Sequence, residues 1–279
     1  MSRGPLKLTI AVILVLAHST TWAQEALLTK SPVQPGQGGL NWRQQFLAMR
    51  YGADPQGMFN RVDEFTSVTM LAYGLTGELA LEGRLPLSFR DFSGGHHTPS
   101  DQLGMDEASM TLKWRVWRDD YGPTNTARAS LFGGFYTPML IDGDLEGGWN
   151  PVIGGLFMQV HDRHGWNIAG MYELTTSATE MVIHPGNSLA DLARLDLAYL
   201  YRLQPAEYSA ETTHSLYAVL ELNCFYETNS DREVRLAPGI LYEAADIALE
   251  AGIQFPLYDR LRYRPDREWS AVVGFRLLF

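Results

Sequence analysis

Cysteine is almost missing from this sequence. Cys224 stands alone among 279 residues, so no intrachain disulfide can form and the fold must be held by other means. The plain reading of Cys224 itself is a small apolar side chain in a strand. Basic residues are also scarce: 22 Lys+Arg against 32 Asp+Glu leave a net charge of −10. An acidic chain offers no electrostatic footprint for nucleic acid, and that class of partner is set aside. Past the N-terminus, no run approaches the roughly 18 apolar residues of a membrane-crossing helix. A glycine-rich phosphate loop, a CxxC pair and an HExxH motif are all absent, so no metal or cofactor is expected.

What the N-terminus does contain is a positive start (Arg3, Lys7), an apolar stretch from Leu8 to Ala17, and Thr21-Trp22-Ala23 before Gln24. This is the layout of a cleaved export signal, expected over residues 1–23. About ten apolar residues are too few to span a bilayer as a helix. Residues 24–41 carry Pro32, Pro35 and three glycines and read as a periplasmic linker, too short for a separate plug domain.

From residue 42 onward the dominant signal has period two. At the C-terminus Trp269, Ala271, Val273, Phe275, Leu277 and Phe279 alternate with Glu268, Ser270, Val272, Gly274, Arg276 and Leu278. One phase is wholly apolar and the other mixed, which is the signature of a strand. The same alternation runs through Ala108–Trp117, Leu216–Asn223 and Ile247–Leu257. Residues 188–203 also have Leu189, Leu192 and Leu195 at helical spacing, but Leu195, Leu197, Tyr199 and Tyr201 favour a strand there. About twelve strands follow: near 42–52, 64–74, 77–89, 106–118, 125–136, 151–161, 165–175, 189–203, 214–227, 233–243, 246–257 and 268–279. Connections alternate between short (75–76, 162–164, 244–245) and long (53–63, 90–105, 137–150, 176–188), with 204–213 as the exception.

A soluble sandwich would also alternate. Strands of about ten to fourteen residues, however, suit a tilted crossing of hydrocarbon. Aromatics recur at strand ends (Trp42, Tyr51, Tyr73, Trp166, Tyr172, Tyr226, Tyr242, Tyr258, Trp269), as in interfacial girdles. The expected fold is therefore all-β: one transmembrane antiparallel barrel of about twelve strands over 42–279, in the outer membrane, with lipid as its surroundings. Energetics sets the facing, because an arginine at mid-membrane on the lipid side costs about 2–4 kcal/mol. The charged phase must then line the interior: Glu78, Glu82, Arg84, Lys113, Arg115, Arg128, Glu173, Arg194, Asp196, Arg202, Glu221, Arg235, Glu250, Gln254 and Arg276. Such an interior is either a packed ion-pair network or a polar path that filters small solutes. Twelve strands give a backbone radius of roughly 12 Å, so only small molecules would pass.

Two stretches carry a resemblance. Tyr73-Gly74-Leu75-Thr76 with Glu78-Leu79 and Leu85-Pro86, and Leu236-Ala237-Pro238-Gly239-Ile240 with Leu249–Pro256, are similar to segments of the outer-membrane transporter family linked to the meta-cleavage pathway of phenol degradation. The resemblance covers a minor part of the chain. It implies a channel or transporter for small solutes, hydrophobic or aromatic ones included, rather than an enzyme. Phe275, Leu277 and Phe279 likewise resemble the C-terminal signal that outer-membrane proteins present to their insertion machinery. Two other readings stay open: a structural barrel with a filled lumen, and a lipid hydrolase using His96, His97, Ser100 and Asp101. A glycine-flanked loop is a poor support for the rigid His–Ser pair a hydrolase needs. His161 and His164 flank a tight turn and could at most form a weak metal site.

Overall fold

The structure is a computed structural model; it describes residues 25–95, 98–122, 125–209 and 211–279. The expected export signal lies outside the described residues. The strands are β1 (Leu40–Tyr51), β2 (Arg61–Gly74), β3 (Leu79–Ser93), β4 (Gln102–Met105) and β5 (Ser109–Asp120). There follow β6 (Thr126–Tyr136), β7 (Met139–Ile141), β8 (Asp144–Glu146), β9 (Asn150–His161) and β10 (His164–Glu173). The last five are β11 (Leu192–Gln204), β12 (His214–Glu227), β13 (Arg232–Ala244), β14 (Ile247–Arg260) and β15 (Arg267–Leu278). No helix occurs among the described residues.

Every pairing is antiparallel, and the sheet closes on itself through β1, which pairs β2 on one side and β15 on the other, with Phe46 opposite Val273. β4 and β5 together make one crossing of the wall, and β7 with β8 forms a small hairpin beyond it. The result is a closed barrel of twelve crossing strands, the number the alternation predicts. Closure removes the exposed sheet edges that would otherwise aggregate. Residues 188–203 form strand, not helix.

The two faces follow the sequence phase. In β12 the inward positions Ser215, Tyr217, Val219, Glu221, Asn223, Phe225 and Glu227 are buried, while the residues between them are half-buried or exposed. The outer wall is apolar: Ile253 and Val273 are 55% and 54% exposed, and Leu81, Leu112, Leu220 and Ile240 share that surface. In water such a wall would be strongly unfavourable; in lipid it is the stable arrangement. Trp114, Trp166 and Tyr73 ring the end with short turns, and Phe65, Tyr172, Tyr258 and Trp269 ring the end with long loops. Tyr51, expected in such a girdle, instead faces inward and is fully buried, its hydroxyl accepting a bond from Arg267.

Several expectations change along the chain. The strand near 106–118 is broken at 106–108, where Asp106 turns to Arg90 and Ser88, and Glu107 accepts a bond from Asn150 Nδ2 at 3.1 Å. Within the expected loop 137–150, Asp142 and Gly143, both at positive φ (50° and 99°), close the β7–β8 hairpin. Within the expected linker 24–41, Ala26 to Pro35 is largely buried inside the barrel, and only 36–40 is mostly exposed.

Candidate functional site in the barrel lumen

The N-terminal segment enters at the short-turn end. Gly38 N donates to Gly74 O at 2.8 Å, and Gln34 Nε2 to Gly77 O at 3.3 Å. A Cβ on Gly74 would collide with the backbone of Gly36. Farther in, Lys113 Nζ donates to Val33 O and Ser31 O, at 2.5 and 3.2 Å. At mid-height Glu221, 1% exposed, receives the amides of Leu27, Leu28 and Thr29 and the Thr29 hydroxyl, its shortest contacts being 2.7, 2.9, 2.7 and 2.6 Å. One carboxylate thus satisfies three consecutive amides. On the two strands next to it, Gly239 and Gly252 are cross-strand partners, and a Cβ on either would lie 2.7 or 2.8 Å from Leu27 Cδ2. The two glycines form the socket for that side chain, in which Leu27 joins Leu200, Tyr217 and Leu241.

The end of the segment is held by charge. Arg276 reaches Glu25 at 2.9 Å and Glu250 at 2.6 Å, and also donates to Ala26 O. Arg43 Nε bonds Glu250 at 2.9 Å, and the same guanidinium donates to Leu27 O. Gln45 Nε2 donates to Leu27 O at 2.8 Å. Buried charges are tolerable only when paired and hydrogen-bonded in this way.

Of the residues the sequence assigns to the lumen, Glu82, Lys113, Glu221, Glu250 and Arg276 meet around this segment, and Arg84 lines the same space. Arg194 pairs with Asp196 at 2.8 Å, and Asp196 accepts from Asn223, which in turn accepts from Gln254. Arg128 and Arg202 are buried; Arg128 bonds Thr126, and Arg202 lies 3.9 Å over the Tyr208 ring. Arg115 is half-exposed at the short-turn rim and bonds Gly77 O. Glu78 departs from the expectation: it lies in the exposed turn between β2 and β3, because the strand ends before it. Phe275 and Leu277 face outward, Phe275 edge-on to Trp42, and Phe279 is exposed, its backbone exchanging bonds with Leu40 at 2.9 and 3.1 Å.

The long-loop end carries two clusters that periodicity missed. Arg264, in the loop 261–266, bonds Glu227 at 2.9 Å and Glu233 at 3.0 Å, and Glu233 also holds Arg235. Burial opposes the charge on Arg264, but Glu233 and Glu227 more than offset it and raise its pKa. Residues 174–191 fold inward, and Ile183 packs on Met49, Tyr51, Phe59, Val62 and Phe92. His184 in that loop bonds Tyr51 Oη at 2.9 Å and Glu64 at 3.1 Å. Glu64, Asp106 and His184 come within 4.8 Å of one another. Arg90 already bonds both carboxylates, so the cluster reads as an ionic clasp on the loop. No local sequence motif marks it, since its members are 42 to 120 residues apart in the numbering. His161 pairs with Asp162 and His164 with Tyr199, both at the surface. His96 and His97 lie outside the described residues.

No family model and no curated protein matches the sequence. Solved structures do match in shape. An outer membrane channel from Pseudomonas putida F1 superposes with a TM-score of 0.58 at 13% identity, over 88% of this chain and 100% of that one. The beta domain of a Bordetella autotransporter superposes with a TM-score of 0.50 at 14% identity, over 86% of this chain and 99% of that one. At such identities the likeness is one of fold: this chain has the fold of the outer-membrane β-barrels.

Proposed function

We propose that the chain is a narrow outer-membrane channel for small solutes, gated by its own residues 25–34. One observation carries this reading. The lumen is filled at mid-height by a chain segment held through polar bonds to Glu221, Arg43, Gln45, Lys113 and Arg276. A purely structural barrel has no need of this device, because wall side chains alone can fill its interior. On release the polar bonds would be exchanged for bonds to water, and the apolar contacts to be given up are those of Ala26, Leu27, Leu28 and Val33. The Pseudomonas protein, described as an outer membrane channel, and the resemblance around Gly74, Gly239 and Gly252 support the same reading. Those three glycines are where the segment seats. Passage of hydrophobic or aromatic solutes follows only from that resemblance.

In the cell the short-turn end faces the periplasm, both chain ends lie on that side, and Phe275, Leu277 and Phe279 are the insertion signal. The test is flux through the mature chain reconstituted in vesicles, intact and lacking residues 25–34. Small solutes should pass the intact barrel slowly and the truncated one much faster. Equal impermeability of both would leave the structural barrel with an occluded lumen as the correct reading.

A further inference from the structure

Beside the segment lies a cavity of about 140 Å³, bounded by residues 29–33 and by β2, β3 and β5. Its lining has two characters. Val33, Met70 and Ala72 make an apolar side, and Lys30, Arg84 and Lys113 a cationic one. Glu82 also lines it, but its carboxylate is already engaged by Lys113 at 2.5 Å and by Lys30 at 3.6 Å. Arg84 differs from its neighbours. Its guanidinium has one bond, to the Glu107 carbonyl at 3.3 Å, and among the described residues it makes no ion pair. With Arg43 and Arg276 counted, five cations line the space against Glu25 and Glu82, with Glu250 behind them. Five cations thus meet three carboxylates in a half-enclosed site, with Glu107 next to Arg84 and Glu243 near Arg276 beyond the lining.

We propose that this cavity binds a small organic monocarboxylate, its carboxylate on the free edge of Arg84 and its compact apolar body against Met70, Ala72 and Val33. A neutral solute would leave Arg84 unmatched, and a cation would be repelled. An inorganic anion would leave the apolar side facing water. The planar guanidinium offers two parallel donors to a carboxylate. Size sets the limit: a cavity of about 150 Å³ accommodates benzene, so an acid of about five carbons is the natural guest. The proposal deepens the channel reading by naming the solute class, and it rests on that reading for how the acid comes and goes.

The probe is pivalate, with pivalamide as its uncharged counterpart, measured by equilibrium dialysis against the whole mature barrel in detergent. Pivalate should bind saturably, and pivalamide about tenfold or more weaker. Arg84→Gln should weaken pivalate by about tenfold and leave pivalamide unchanged, with Arg84→Lys in between. Folding of each variant is checked by its heat-shifted mobility on a gel. If Arg84→Gln does not fold, Met70→Trp, which fills the apolar side, must abolish binding instead. Equal binding of acid and amide, indifference to these substitutions, or no saturable pivalate binding overturns the proposal. Binding without flux in vesicles would remove the channel reading and leave the site standing; flux with equal binding of acid and amide would do the reverse.

Discussion

Replacing Glu221 by leucine is the sharpest perturbation of the seated segment. The carboxylate receives three backbone amides and the Thr29 hydroxyl, all at 2.6–2.9 Å at the closest oxygen. Hydrogen bonds to a charged group contribute about 1.5–3 kcal/mol each, and a buried amide left unmet costs about 1–3 kcal/mol. Leucine is close to glutamate in size, so cavity formation adds little and the loss falls on the amides. Lys113, Arg43, Gln45 and Arg276 continue to hold the segment, and water can reach part of the vacated site, which brings the expected loss to about 3–5 kcal/mol. At about 1.4 kcal/mol per factor of ten, the seated-to-released ratio falls roughly a hundredfold to several thousandfold. The assay is thiol labelling. Cys224, on the outer face, is changed to alanine, and Ser31, 7% exposed, to cysteine. With Glu221 present, labelling of Ser31→Cys by a bulky maleimide should be slow. With Glu221→Leu it should accelerate by at least about a hundredfold, and Glu221→Gln should fall between. An unchanged labelling rate in a barrel that still resists heat would refute the idea that this carboxylate holds the segment.

Other substitutions probe other parts of the molecule. Gly252→Val should push Leu27 from its socket and raise conductance, and adding Leu27→Ala should return conductance toward the original value; planar-bilayer recordings of the pair decide it. Arg264→Ala leaves Glu227 and Glu233 buried with one partner fewer and should cost about 3–5 kcal/mol, seen as a lower unfolding temperature in detergent. Ile253→Arg places a charge on the apolar wall near mid-height and should cost about 2–4 kcal/mol in bilayer folding titrations. An unaltered titration would mean that this face does not meet hydrocarbon. His184→Ala removes one arm of the clasp on residues 174–191, and protease cleavage within that loop should quicken while the barrel stays intact.

Most of the wall is legible in the sequence because lipid imposes a local rule. Every second residue of a crossing strand meets hydrocarbon, so Val273 and Arg276 reveal their facing without knowledge of any partner. The β7–β8 hairpin, inside the expected loop 137–150, also has a local mark, since Asp142-Gly143 is a strong two-residue turn signal. The interior is another matter. Residues 25–34 have no period, and their burial depends on partners such as Glu221, 194 positions away from Leu27. Pro32, Pro35 and the three glycines of 36–39 look like a flexible tether until Gly239 and Gly252 are seen to make room for Leu27. The clasp of Glu64, Arg90, Asp106 and His184 is hidden for the same reason. A charge in the inward phase tells which side it faces, but not whom it meets.

The seam of the barrel joins β1 to β15, and the segment that fills the lumen runs directly into β1 from the same mouth, with Glu25 returning beside Arg276, near the foot of β15. Residues 25–34 are held to the wall through side chains, outside the ladder of strand pairings. Under the gating proposal their release therefore demands no distortion of the cylinder, because every strand keeps both its neighbours.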